Sequence, residues 1–421
     1  MRRWLAMAAI LLALPMQGPA APALRVQPLA IGIEGAAGEP SLAALRDGVL
    51  LTWQARLGAG ATALRFARLD DRGRALARGE IARGRGWFVN GADFPAALEL
   101  ADGTWLAYWL QRNGPARYAY EIRLVASPDQ GQSWHDQGRL HDDDSATEHG
   151  FVAWVPLPGG GAQAVWLDGR DTAGGHAGHG AGTHGRVDAE GGAMTLRGAG
   201  VDAGGAAPSV LLDGRVCDCC QTDAAPVTDG LLVVYRGRSA DEVRDVKLLR
   251  QAGGQWQAPE PLFATGWRIA GCPVNGPAIA ARGQAVAAAA YDEAEGQGRV
   301  QVRTSRDGGR HWQAAVTVAR GDSIGRLDLA ALPGGRFLLS HYLTIGTRSV
   351  LRVELLDRAG RPLAQVDVAD MPLASALGFP RLAAVEGGAL LAWTGVEDGG
   401  PRVHLARIEV GQHGGDAGAA R

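Results

Sequence analysis

A short apolar strand ending in an aromatic residue recurs seven times along this chain, usually just after an Asp-Gly or Gly-Gly turn. The copies run from Asp47-Gly48 to Trp53, Asp102-Gly103 to Trp109, Gly159-Gly160 to Trp166 and Asp229-Gly230 to Tyr235. They continue from Gly283 to Tyr291, Gly334-Gly335 to Tyr342 and Gly387-Gly388 to Trp393. Successive aromatics lie 56, 57, 69, 56, 51 and 51 residues apart. Self-similarity at such a period, with short strands and glycine turns, is the mark of radial β repetition. A unit of four strands and their turns takes roughly 40–50 residues. Seven units therefore fill residues 24–411, and the expected fold is an all-β propeller of seven four-stranded blades, six being the alternative. The last copy ends after Arg402-Val-His-Leu-Ala-Arg-Ile408 without a fourth strand. The opening segment Leu24–Ile33 is expected to supply it, closing the ring and removing exposed edges.

Two stretches fit S-x-D-x-G-x-x-W without a mismatch: Ser127-Pro-Asp129-Gln-Gly131-Gln-Ser-Trp134 and Ser305-Arg-Asp307-Gly-Gly309-Arg-His-Trp312. Each follows an alternating strand. The pattern reads as a hairpin turn carrying its own clamp: the carboxylate accepts turn N–H groups, glycine takes φ > 0, and tryptophan packs back on the sheet. It resembles the Asp box of the sialidase-like β-propellers, in which the box is structural and lies away from the ligand face.

The amino terminus has the form of a secretory signal over residues 1–23: Met1-Arg2-Arg3, an apolar run from Trp4 to Leu14, and the small-residue site Ala21-Pro-Ala23. The run is too short to span a membrane, so an exported chain, periplasmic or secreted, is expected. A net charge of −2 over 421 residues gives no sign of a nucleic-acid partner. Residues 412–421 are small and polar and read as a disordered tail.

Propeller geometry sends the turns between third and fourth strands, hence both Asp boxes, to one face. Loops between second and third strands, and between blades, go to the other. That second face collects the chemistry. Arg56, Arg112, Arg170, Arg236, Arg238 and Arg268 lie there and could clamp an anion. Asp93, Glu148 and Glu242 are its candidate acid–base groups. Cys217, Cys219, Cys220 and Cys272, all the cysteines of the chain, fall in two consecutive interblade loops. Disulfides such as Cys219 or Cys220 to Cys272 suit an exported protein. A thiolate site for copper or zinc is the sharper alternative, assisted by His176, His179 and His184 in a Gly-His-rich insertion.

The resemblance implies exo-sialidase chemistry: an arginine triad for the sugar carboxylate, a tyrosine nucleophile aided by glutamate, and an aspartate acid/base. The chain departs from it in having no Arg-Ile-Pro segment, and Phe88-Val-Asn-Gly-Ala-Asp93-Phe-Pro95 stands in that place. Tyr235, Tyr291 and Tyr342 occupy the repeated strand-end position, where packing accounts for them. Two functions are therefore expected: binding, with or without hydrolysis, of acidic glycans on the loop face, or metal handling through the cysteines. A protein partner on the same face is the third reading.

Overall fold

The computed structural model describes residues 23–172, 192–372, 378–397 and 400–411. The strands form seven separate antiparallel sheets, one per blade, in the order in which the chain makes them. Blade 1, for instance, comprises Ala37–Leu45, Gly48–Gly58, Ala61–Leu69 and Ala75–Arg85, from the channel outward. Blades 3 and 4 differ only in an outermost strand broken into two short pieces against the third. The seventh sheet is closed as expected: Leu24–Leu29 pairs antiparallel with Gly400–Val410, Leu24 opposite Val410. Residues 1–22 of the expected signal, residues 412–421 of the expected tail, and His176, His179 and His184 lie outside the described residues. No helix among those described is long and apolar enough to cross a membrane.

The core is not one nucleus but seven slabs, one between each pair of neighbouring blades. This explains the near-continuous apolar second strands. In Gly230–Arg236, Leu231, Val233 and Tyr235 pack toward blade 3, whereas Leu232 and Val234 pack toward blade 5. Side chains alternate, yet both faces are buried, so no polar alternation survives in the sequence. Fully burying each such side chain contributes about 1.5–3 kcal/mol.

Both Asp boxes sit between third and fourth strands, in blades 2 and 5. Ser127 Oγ donates to Asp129 Oδ1 (2.8 Å) and accepts from the Gly131 amide (2.7 Å). Asp129 also accepts from the Ser133 amide and hydroxyl. The second box repeats this with Ser305, Asp307, Gly309 and the His311 amide. Gly131 has φ +91°, and a Cβ there would come within 2.5 Å of Phe66 on blade 1. Trp134 closes on the same ring edge-on, 6.3 Å between centroids. The box therefore clamps its own turn and staples its blade to the preceding one.

At the channel, carboxylates tie each of three blades to the next. Asp93 accepts the amide of Phe151 (2.8 Å), Asp223 that of Ile279 (2.8 Å), and Asp328 that of Leu382 (2.6 Å). The first strands of blades 1, 3 and 6 also begin with a bulge after Gly38, Gly150 and Gly325. The residues that follow, Glu39, Phe151 and Arg326, have φ of 52°, 54° and 59°. Positive φ at bulky residues persists only where the surroundings enforce it, and such strain concentrates at working sites.

Candidate functional site

Interblade loops converge on a cavity of about 440 Å³ at the face opposite the Asp boxes. Its walls come from Phe88 to Ala92 between blades 1 and 2, Tyr118 in blade 2, and Glu148 and Phe151 entering blade 3. Cys219, Cys272 and Val274 around blade 4, with Arg326 of blade 6, complete it. Phe151, Val274 and Arg326 are three of the non-glycine residues held at positive φ. Beneath, Gln221 links the loops: its amide donates to Ala92 O, and its carbonyl oxygen accepts the Gly276 N–H.

Behind Glu148 lies a short buried chain of polar groups. The Tyr120 hydroxyl is 2.9 Å from Glu148 Oε1 and 2.7 Å from Asp93 Oδ2. A phenol has one proton and cannot donate to both carboxylates, so one of them must be protonated. Burial pushes Asp93 up to about 7, although Tyr120 and the Phe151 amide pull it down; the Glu148 charge adds to the rise. That puts the extra proton on Asp93, which donates to Tyr120, which donates to Glu148. Burial and the flanking carboxylates hold the Tyr120 phenol well above its ordinary range. Phe88 stacks on Tyr120 at 4.0 Å and 7°, fixing the ring. Gly150 is demanded by the same cluster, since a Cβ there would lie 1.9 Å from Asp93 Oδ2.

Arg326 supplies the opposite charge. Asn275 Oδ1 accepts its amide at 2.8 Å, and its guanidinium lies 4.7 Å over the Phe379 ring. Among the described residues no carboxylate forms an ion pair with it. Desolvation lowers its pKa, which raises the gain from an incoming anion.

The structure brings Asp93 and Glu148 together on one phenol, whereas Glu242 is apart, paired with Arg238 and Arg244 at 2.7 Å. The six rim arginines do not converge. Arg56 pairs with Glu39 (2.8 Å), Arg170 with Asp168, Asp142 and Asp143, and Arg238 with Asp218 and Glu242. Arg236 is fully buried; it donates to the carbonyls of Asn275, Arg244 and Tyr291 and lies under Trp267. Arg112 donates to Arg117 O and covers Phe88, and Arg268 is exposed.

Cys219 and Cys272 form a disulfide that pins two loops at the cavity wall. It withdraws two of the four sulfurs from the thiolate metal site considered as an alternative. Cys217 and Cys220 remain as buried thiols, 2.7 Å apart. Burial opposes ionisation of Cys220, yet the Cys217 thiol and the Arg236 charge bring it to about 7.

Sequence reasoning missed Tyr120 and Arg326. Tyr120 opens a third strand, which starts at the loop face, so its place in the repeat was a usable signal. Arg326 lies within a first strand, Ser323–Ala331, and only the bulge after Gly325 turns it to the cavity.

No protein-family model and no curated protein matches the sequence. Solved structures similar to it include sialidases and polysaccharide lyases. An ulvan lyase of polysaccharide lyase family PL25 is 12% identical, with a TM-score of 0.53 over 90% of this chain and 96% of its own. The same kind of enzyme bound to -[GlcA(1-4)Rha3S]- gives 12% and 0.51 over 91% and 96%. The NanB sialidase of Streptococcus pneumoniae is 7% identical, with a TM-score of 0.47 over 93% and 95%. At such identities the likeness to the lyases is one of fold.

Proposed function

We propose that the cavity binds an acidic sugar of a polysaccharide and that Glu148 performs acid–base chemistry on it. The observation that carries this reading is an arginine with no ion-pair partner among the described residues, Arg326, in the same cavity as a carboxylate backed by a proton relay. The guanidinium takes the sugar carboxylate, while Phe88, Tyr118 and Phe151 offer apolar walls to its ring.

Elimination suits this arrangement better than hydrolysis. Glycoside hydrolysis ordinarily needs two carboxylates flanking the bond, and among the described residues Glu148 is the only acid lining the cavity. Asp93 stands behind Tyr120, and Tyr120 does not line the wall as a nucleophile would. Elimination from a uronate needs one base and one cation. With the carboxylate charge matched by Arg326, Glu148 takes the C5 proton. The C–H electron pair becomes the C4=C5 double bond, the C4–O bond breaks, and the departing oxygen takes a proton back from Glu148. Tyr120 and Asp93 keep that carboxylate oriented. The same reading has the protein exported, on the strength of Met1-Arg2-Arg3 and the apolar run that follows.

The test is incubation with uronate-containing polysaccharides and sialylated oligosaccharides. Growth of ultraviolet absorbance from unsaturated uronate, lost in Arg326→Ala, is the expected result. New reducing ends without absorbance would make the protein a hydrolase; binding without cleavage would make it a glycan-binding module.

A further inference from the structure

The loop from Leu140 to His149, which delivers Glu148 to the cavity, folds back on a second cluster that plays no part in the chemistry above. His141 Nδ1 and His149 Nε2 both lie 3.0 Å from one oxygen, Asp143 Oδ1. The two imidazoles are stacked at 3.8 Å and 12°, and both side chains are 0% exposed. All three ligand-type atoms lie within 4.8 Å of one another. We propose that His141, Asp143 and His149 hold a divalent cation of the zinc type, which fixes the loop carrying Glu148.

Three further observations support the site. First, His149 Nδ1 is 3.2 Å from two carbonyl oxygens, those of Tyr120 and Thr147. Carbonyls only accept, so Nδ1 carries the hydrogen, and Nε2 is the nitrogen that faces Asp143. Asp168 Oδ1 stands 3.7 Å from that same nitrogen. A nitrogen set between two carboxylates needs a positive centre there, a proton or a metal ion. A ring nitrogen anchored on a main-chain carbonyl while its opposite nitrogen ligates is the usual support of metal-bound histidine.

Second, the fixed charges do not balance. Asp142, Asp143 and Asp168 contribute −3 and face the single guanidinium of Arg170, +1, which contacts all three. The carboxylates outnumber that guanidinium, so the cluster favours a further positive charge. Third, Ser145 holds the other oxygen of Asp143 through its amide and hydroxyl, which turns Oδ1 toward the two imidazoles and Arg170. Two imidazoles and a carboxylate suit a first-row divalent metal rather than calcium or magnesium. The site uses none of the cysteines.

Its position gives it a role. The carbonyls that anchor His149 belong to Tyr120 and Thr147, and the Tyr120 amide donates to Thr147 O at 3.1 Å. The ion would therefore lock together the two strands that present Tyr120 and Glu148, whatever those residues act on.

The experiment uses the full chain carrying His176→Ala, His179→Ala and His184→Ala, so that those imidazoles cannot contribute. The protein is stripped with chelator, loaded with Zn(II) or Co(II), and gel-filtered, and metal per chain is measured. One retained equivalent is expected, with a raised melting temperature and a cobalt spectrum of d–d bands without thiolate charge transfer. His141→Gln and Asp143→Asn, each with unchanged circular dichroism, are expected to lose that equivalent. No retained metal would overturn the proposal and leave an imidazolium–carboxylate ion pair. So would thiolate charge transfer, which places the ion on Cys217 and Cys220, or retention in folded variants. Should both variants fail to fold, ¹⁵N shifts of the two histidines in the zinc-loaded parent decide: values unchanged by zinc overturn the site.

Discussion

The Asp boxes and the buried loop-face pair Asp93 and Asp223 use aspartate in opposite ways. At the Asp-box face, hydrogen bonds from Ser133 and Ser127 draw Asp129 down to about 2, and contacts with His311 and Ser305 lower Asp307 likewise. Every one of those donors lies within four residues, so the clamp is written locally and survives in water. At the loop face, burial drives Asp93 and Asp223 up to about 7, against the pull of their own hydrogen bonds. Their partners come from other blades: Phe151 is 58 residues from Asp93 and Ile279 is 56 from Asp223. One face keeps charge solvated and serves stability. On the other, Asp93 and Asp223 are taken out of water and hold protons, whereas Asp142, Asp143 and Asp168 are kept below the usual range by their hydrogen-bond partners.

The sharpest test of that division is Glu148→Gln. A carboxamide keeps the shape but cannot take a proton, so cleavage is expected to fall at least about 100-fold while glycan affinity changes little. Turnover within a few-fold of the parent would remove the proton-handling role from this face. Next, Arg326→Ala deletes the charged partner of the sugar carboxylate. Calorimetry should show affinity for acidic glycan weakened roughly 10- to 100-fold, the range of a charge-assisted hydrogen bond; unchanged binding breaks the assignment of the anion site.

The third test reads the stored proton. Asp93 has a folded pKa of about 7 against roughly 3.9 in an unfolded chain. Between those values the folded state binds the extra proton, so this residue makes stability fall as pH rises from about 4 through about 7. Urea unfolding across that window should show a shallower decline for Asp93→Asn than for the parent. An identical decline in both proteins would place the proton elsewhere. The smallest effect belongs to the other face. Ser127→Ala loses the bonds to Asp129 and the Gly131 amide and is expected to cost about 1 kcal/mol, with glycan affinity unaltered. A binding defect in that variant would show that the faces are coupled.

Legibility in the sequence follows the same divide. The blade count and both Asp boxes could be read because each is a local pattern: Trp53 to Trp393 repeat at strand ends, and Ser, Asp, Gly and Trp keep fixed offsets. The closing strand was legible from a missing partner after Ile408. On the other face, Asp93 and Glu148 could be nominated from loop position alone, but their meeting on Tyr120 depends on the entry angle of two blades. Arg236 has the same sequence context as a rim arginine, yet three carbonyls from distant loops surround it. Nothing within a few residues distinguishes it from Arg326, whose exposure to the cavity arises from a bulge.

Closure by Leu24–Leu29 also sets an order of events. The first strand to leave the ribosome is the last to find its place, because its neighbour Gly400–Val410 is made at the far end of the chain. Until then the seventh sheet has an open edge, and the apolar slab between the first and last blades lacks Leu29. A ring of this kind matures in a single late step that depends on both ends at once. Cargo fused tightly before residue 24 would impede that step more than cargo fused after the last blade.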